Sequence, residues 1–116
     1  VEVRLPLAYT YGVRAGHVSP HRWVEVCCTR PAEVFGLSRK GRILPGYDAD
    51  LVVFDPERRV TLSHANLHSN IDHSTYEGVE VAGYPVVTIG RGEVLVADGE
   101  LQVAPGRGRF VERSYA

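Results

Sequence analysis

Gly41-Arg-Ile-Leu-Pro-Gly-Tyr-Asp-Ala-Asp-Leu-Val-Val-Phe-Asp-Pro56 is where this chain changes character. Before Gly36–Gly41 the signals are helical; after it they are strand and turn. Asp50–Asp55 reads as a strand, and Leu51-Val52-Val53-Phe54 is apolar on both faces, which predicts that both faces are covered. Pro56 is expected to end it, with Val60–Leu62 as a short second strand.

Working back towards the N-terminus, Arg4–Val13 predicts a short helix. Leu5, Tyr9 and Val13 share one face, and Pro6 is tolerable in the first turn. Ser19-Pro20 starts a second helix, Ser19 capping free N–H groups and Pro20 fitting the first helical position. Thr29-Arg30-Pro31 is expected to restart the chain, with Thr29 as a second cap and Gly36 as the stop. Helices this short are marginal alone, so they call for packing against something larger.

Working forward, His64–Gly78 reads as polar loop with one helical turn. Val79–Val81 and Val86–Ile89 read as strands separated by Gly83-Tyr84-Pro85. Asp98-Gly99 between apolar stretches signals a two-residue hairpin, because a type I′ turn needs positive φ at both central residues. That turn sets Ala97 opposite Glu100, Val96 opposite Leu101, Leu95 opposite Gln102 and Val94 opposite Val103. The Val96–Leu101 and Val94–Val103 pairs then share an apolar face. Pro105–Arg109 opens a polar tail.

The 116 residues make one domain with a modest core. Thirteen basic and fourteen acidic side chains give a net charge of −1, against the basic excess of nucleic-acid binders. No apolar run approaches the roughly 20 residues that span a bilayer, and no signal peptide is evident. The lack of an initiating Met suggests a fragment or processed product. Cys27 and Cys28 are adjacent, which argues against a disulfide framework and for free thiols in a reducing cytoplasm.

The candidate reactive groups do not assemble into a site on sequence grounds. His64 and His68 are four apart and His73 follows, but zinc needs three or four converging ligands. Ala65 stands where a His-Glu-x-x-His motif has its glutamate, so these residues read as polar loop. His17 and His21 read as surface or capping residues. Cys27 lies mid-helix on an apolar face, without the base a nucleophile needs. Asp48, Asp50 and Asp55 read as turn and strand-edge carboxylates that accept backbone N–H groups. Gly90-x-Gly92 and Gly106-x-Gly108 lack the third glycine of a phosphate loop. Lys40, the only lysine, sits in a polar turn.

Several segments in order along nearly the whole chain carry a resemblance. They are Arg4-Leu-Pro-Leu-Ala-Tyr-Thr-Tyr-Gly-Val13, Thr29-Arg-Pro-Ala-Glu-Val-Phe-Gly-Leu37 and Lys40–Pro56, followed by Tyr76-Glu-Gly78, Gly83-Tyr-Pro85, Gly92–Gly99 and Pro105-Gly-Arg-Gly-Arg-Phe110. Together they resemble the C-terminal quarter of the dihydropyrimidinase and hydantoinase family of cyclic amidohydrolases. The Gly-Tyr-Asp-Ala-Asp-Leu-Val-Val-Phe element marks the superfamily, and Tyr76–Gly78 with the Pro-Gly-Arg-Gly-Arg tail narrows it to this branch.

The resemblance implies an α+β fragment: the terminal helices of a (β/α)₈ barrel (residues 1–40), mainly antiparallel β-sandwich strands (41–104) and a C-terminal tail (105–116). It implies a hydrolase that opens hydantoin or dihydropyrimidine rings with two divalent metal ions, read as zinc, held by a His-x-His pair, two further histidines, an aspartate and a carboxylated lysine. None of these motifs matches a position here. No catalytic, metal or cofactor residue is therefore carried onto this chain, which is expected to be inactive alone. Its implied partners are the rest of the amidohydrolase chain and sister subunits of a homo-oligomer, a tetramer in the family. Arg107, Arg109 and Phe110 are the candidate subunit contacts, with a solvated tail as the other reading. The alternative is a non-catalytic dihydropyrimidinase-related scaffold protein.

Overall fold

Leu51-Val52-Val53-Phe54 does open a strand, but Pro56 does not close it. In the computed structural model, which describes residues 2–114, β1 runs Leu51–Thr61. It pairs antiparallel with β2 (Glu80–Gly90), then come β3 (Glu93–Ala97) and β4 (Glu100–Leu101), in the order β1-β2-β3-β4. Two physical reasons let Pro56 sit inside β1. The strand is at the sheet edge, and Pro56 falls within a bulge between the pairs Asp55↔Tyr84 and Arg59↔Ala82, where no ladder hydrogen bond is required of it. Asp55 Oδ1 accepts the Glu57 N–H there (2.9 Å).

The same bulge explains why the two strands expected around Gly83-Tyr84-Pro85 are one. Gly83, at φ 96°, carries β2 through the irregularity. A Cβ on Gly83 would collide with the Tyr9 ring and lie 2.8 Å from Phe54. Only glycine combines that backbone angle with that approach.

Two helical stretches cover one face of the sheet. The first is α1 (Arg4–Ala8), which continues as a π-helix over Tyr9–Arg14. Leu5, Tyr9 and Val13 are all half-buried, as their spacing requires. The second corrects the expected break at Thr29-Arg30-Pro31. Here α2 (Pro20–Val24), a π-helical segment (Glu25–Thr29) and α3 (Arg30–Val34) form one uninterrupted helix, helical in φ and ψ at Thr29 and Arg30. The wider π turn makes room for Pro31, whose ring would press on the Cys27 carbonyl in a regular α-helix. The Cys27 carbonyl instead accepts from Arg4 Nη2 at 3.4 Å. Thr29 caps nothing; its hydroxyl donates to the Gly41 carbonyl (3.0 Å). Ser19 does cap, accepting the Arg22 N–H at 3.1 Å. The helix stops at Gly36 with two closing bonds, Gly36 N–H to Glu33 O and Leu37 N–H to Ala32 O.

Helices and sheet meet at Tyr9, Trp23 and Phe54, whose ring centroids lie 4.9–5.2 Å apart in tilted and edge-on arrangements. Phe54 therefore packs on the helices of its own chain. The covering expected on both faces of β1 is incomplete: Val53 is 50% and Val52 45% exposed. Thr10 closes part of the uncovered edge of β2. Its hydroxyl accepts the Ala82 N–H (3.1 Å) and donates to the Pro6 carbonyl (2.8 Å). Leu62 and Val81 are fully buried at the far end of the β1–β2 pair.

The hairpin forms in the expected register, Val96↔Leu101 and Ala97↔Glu100, with the Gln102 N–H bonded to Leu95 O. Asp98 (φ 50°) and Gly99 (φ 84°) supply both positive angles. The turn from β2 to β3 uses the same geometry at Arg91 (φ 50°) and Gly92. The 62–79 segment is a loop with a single 3₁₀ turn, His64–Asn66, capped by Ser63.

Candidate functional site

The histidines of the 62–79 loop each meet a carboxylate. His64 Nδ1 lies 3.3 Å from Glu77, and His73 Nδ1 3.0 Å from its neighbour Asp72. His68 Nδ1 lies 2.9 Å from Glu2 Oε1. The three histidines thus face three different carboxylates. Among the described residues no three His, Cys, Asp or Glu side chains gather as a metal site. The residues present do not fit the metal pair that the resemblance implies. His17 and His21 are exposed around the start of α2.

Cys27 is buried in the helix, and burial pushes its thiol above the ordinary value, away from the thiolate a nucleophile requires. Burial raises Cys28 in the same direction. Both cysteines are free.

Lys40, Asp48 and Asp50 form a second cluster, one that the sequence scatters between a turn and a strand edge. Lys40 Nζ bridges Asp48 (3.0 Å) and Asp50, while Arg39 reaches Asp48 at 2.8 Å. Burial works to lower the Lys40 ammonium, and its two carboxylate bonds outweigh that, so its proton is held more tightly than usual. Burial works to raise Asp50, and hydrogen bonds from Lys40 and the Arg91 N–H outweigh it, leaving Asp50 below the usual carboxylate range. A lysine so held is no base. The cluster fastens the 39–50 segment to the β2–β3 turn, aided by Gly92 N–H to Ala49 O. Asp55 stands apart at the Pro56 bulge.

Of the three tail residues, Arg107 is docked within the chain. It donates through Nε to Glu93 (3.0 Å) and through Nη2 to the Gly90 carbonyl (2.8 Å), while Arg91 donates to its carbonyl (2.6 Å). Arg109 is exposed, and Phe110 is 90% exposed. Beyond them the tail returns to the helix end, where the Ser114 N–H meets Gly36 O and Arg113 lies over the Phe35 ring. Tyr115 and Ala116 of the expected tail lie outside the described residues.

One apolar feature was missed by sequence reasoning: an open groove of about 460 Å³ between the helices and β1. Leu5, Trp23, Cys27, Leu44, Val52 and Phe54 line it, and Ile43 on its rim is 83% exposed. The groove lacks the convergent polar groups that orient a small substrate. No local sequence signal reveals it, because its walls come from four separate stretches. Among the described residues, no helix is long and apolar enough to cross a membrane.

Comparison with known proteins gives this geometry a lineage. The amidohydrolase family model matches residues 1–95. The D-phenylhydantoinase of Escherichia coli O127:H6 (strain E2348/69 / EPEC) is 42% identical over 114 residues, covering 97% of this chain and 25% of that protein. The structure of a D-hydantoinase (dihydropyrimidinase) from Thermus sp. superposes with a TM-score of 0.91 at 45% identity, over 97% of this chain and 25% of that one. An L-hydantoinase (dihydropyrimidinase) from Arthrobacter aurescens gives 0.89 at 39% identity, over 94% and 24%. The chain thus spans about a quarter of the length of the relatives it matches.

Proposed function

The chain belongs to the amidohydrolase family, and on that premise we propose that it is the C-terminal, non-catalytic portion of a hydrolase that opens cyclic amides of the hydantoin or dihydropyrimidine class. One observation carries the reading: its similarity to hydantoinases runs through 97% of its own length yet accounts for only 25% of theirs. The helices of residues 1–40 close the barrel, the strands of 41–104 complete the β-sandwich, and the rest of the enzyme holds the metal ions. The apolar groove and the half-exposed Val52 and Val53 support this division, since they offer surface for further packing. Arg109 and the bare Phe110 ring, presented by a tail that Arg107 pins to the sheet, are the surface through which subunits meet.

Reconstitution tests the proposal. The purified chain is expected to open neither hydantoin nor dihydrouracil. Co-expressed with a D-hydantoinase that lacks the corresponding C-terminal quarter, it is expected to co-purify and restore ring opening. Turnover by the chain alone would refute the non-catalytic assignment. Co-purification with unaltered inactivity would favour the scaffold alternative over the hydrolase.

A further inference from the structure

Where the N-terminal segment meets the hairpin end of the sheet, His68 makes contacts that neither its motif nor the proposed function accounts for. Its backbone N–H donates to Glu2 Oε2 (2.9 Å), its Nδ1 lies 2.9 Å from Glu2 Oε1, and its Nε2 lies 2.9 Å from the Gly99 carbonyl. Both ring nitrogens therefore face acceptors. An ionised carboxylate and a peptide carbonyl have no proton to give. A neutral imidazole has one N–H and one lone pair, so it satisfies one contact and turns its lone pair on the oxygen at the other. Only the imidazolium, with two N–H groups, satisfies both. His64 and His73 differ in this respect, each having a single ring nitrogen near an acceptor among the described residues.

We propose that His68 is a proton-operated clasp: as imidazolium its ring ties the residues just before α1 to the β3–β4 turn, and as neutral imidazole it gives up one of these two ring contacts, leaving the backbone N–H bond to Glu2 in place. The segments it joins lie 66 and 31 residues from it in sequence, so it links three otherwise separate parts of the fold. The surrounding charges favour the closed state. Glu2 faces the ring from the N-terminal segment and Glu100 from β4. Beyond Glu2 stand Tyr84 of β2 and Arg58 of β1, the latter 3.6 Å from Asp98 in the turn. The hydrogen bond to Glu2, then that to Gly99, then the Glu2 charge hold the His68 proton above its ordinary affinity. Folding therefore raises proton affinity. The clasp is complete below the unfolded imidazole value of about 6.5 and is lost as pH climbs through the folded midpoint.

The test is a histidine-labelled ¹⁵N NMR titration of the 116-residue chain from about pH 5 to about pH 9, in buffer and in urea. At neutral pH both His68 nitrogens are expected in the protonated shift range, with a midpoint above that of the same residue in urea. Glu2→Gln is expected to move that midpoint down, and Glu77→Gln to leave it in place. A folded midpoint at or below the urea value overturns the proposal, as does one that Glu2→Gln leaves unmoved in a folded variant. The comparison with urea needs no substitution, so it decides the matter even if Glu2→Gln fails to fold. A merely structural histidine would hold its contacts through one N–H and titrate as in urea.

Discussion

Around Gly83 the helices meet the sheet through three aromatic rings, with centroids 4.9–5.2 Å apart and a glycine that admits them. At the hairpin end the N-terminal segment meets the same sheet through one exposed imidazole between a carboxylate and a carbonyl. The two attachments obey different physics. Ring packing depends on shape and on water being excluded, and changes little with pH or salt. The imidazole contact depends on one proton and sits in solvent that screens it. The first fixes where the helices lie; the second is conditional and serves to fasten an end.

The ring attachment is the one to break for the largest effect. Gly83→Ala places a methyl group against Tyr9 at a backbone angle that alanine resists. Strain and overpacking together should cost about 3 kcal/mol, read as a lower urea midpoint with unchanged slope. Phe54→Ala removes the ring from the middle of the cluster. Phe54 is only half-buried, so the expected loss is about 2 kcal/mol, below the roughly 3–5 of a fully buried phenylalanine. If either variant unfolds at the wild-type denaturant concentration, the cluster is not what holds helices to sheet.

At the hairpin end the effects are smaller. Gly99→Ala keeps the turn but imposes a left-handed alanine at φ 84° with open space around it. The expected cost is about 1 kcal/mol, since no clash adds to the backbone penalty. A loss as large as that of Gly83→Ala would erase the distinction between the two ends. Raising pH through the His68 midpoint should loosen this end alone. Amides near Glu2 and Gly99 should lose protection beyond the intrinsic rise in exchange rate, while those around Tyr9 and Phe54 should not. Uniform loosening of both ends would show that they are not separable.

The two regions also differ in how far the sequence discloses them. Asp98-Gly99 specifies its turn and register from two adjacent residues, so the hairpin was legible. So were Ser19 as a cap and Gly36 as a stop, which act within one helical turn. Pro31 and Pro56 misled, because local rules make proline a terminator, while a π turn in one place and an edge-strand bulge in the other remove the conflict. Neither adjustment leaves a local mark. The histidines read as polar loop, and their partners are set by the tertiary fold; nothing around Leu67-His68-Ser69 points to Glu2, 66 residues away. The groove walls have the same non-local origin.

The finest distinction concerns Trp23, the ring in the cluster that carries a polar atom. Its indole Nε1 is buried and meets no acceptor among the described residues. Trp23→Phe should therefore combine two opposing changes. A smaller ring leaves unfilled space against Tyr9 and Phe54, which destabilises, while removal of an unsatisfied N–H relieves a burial cost of about 1–3 kcal/mol. With both effects of similar size, the urea midpoint should move by less than about 0.5 kcal/mol. Trp23→Ala, which keeps only the loss of packing, should cost about 2–3 kcal/mol. A large loss in Trp23→Phe would mean that the indole N–H has a partner after all, and that the ring attachment, like its counterpart at His68, depends on a hydrogen bond.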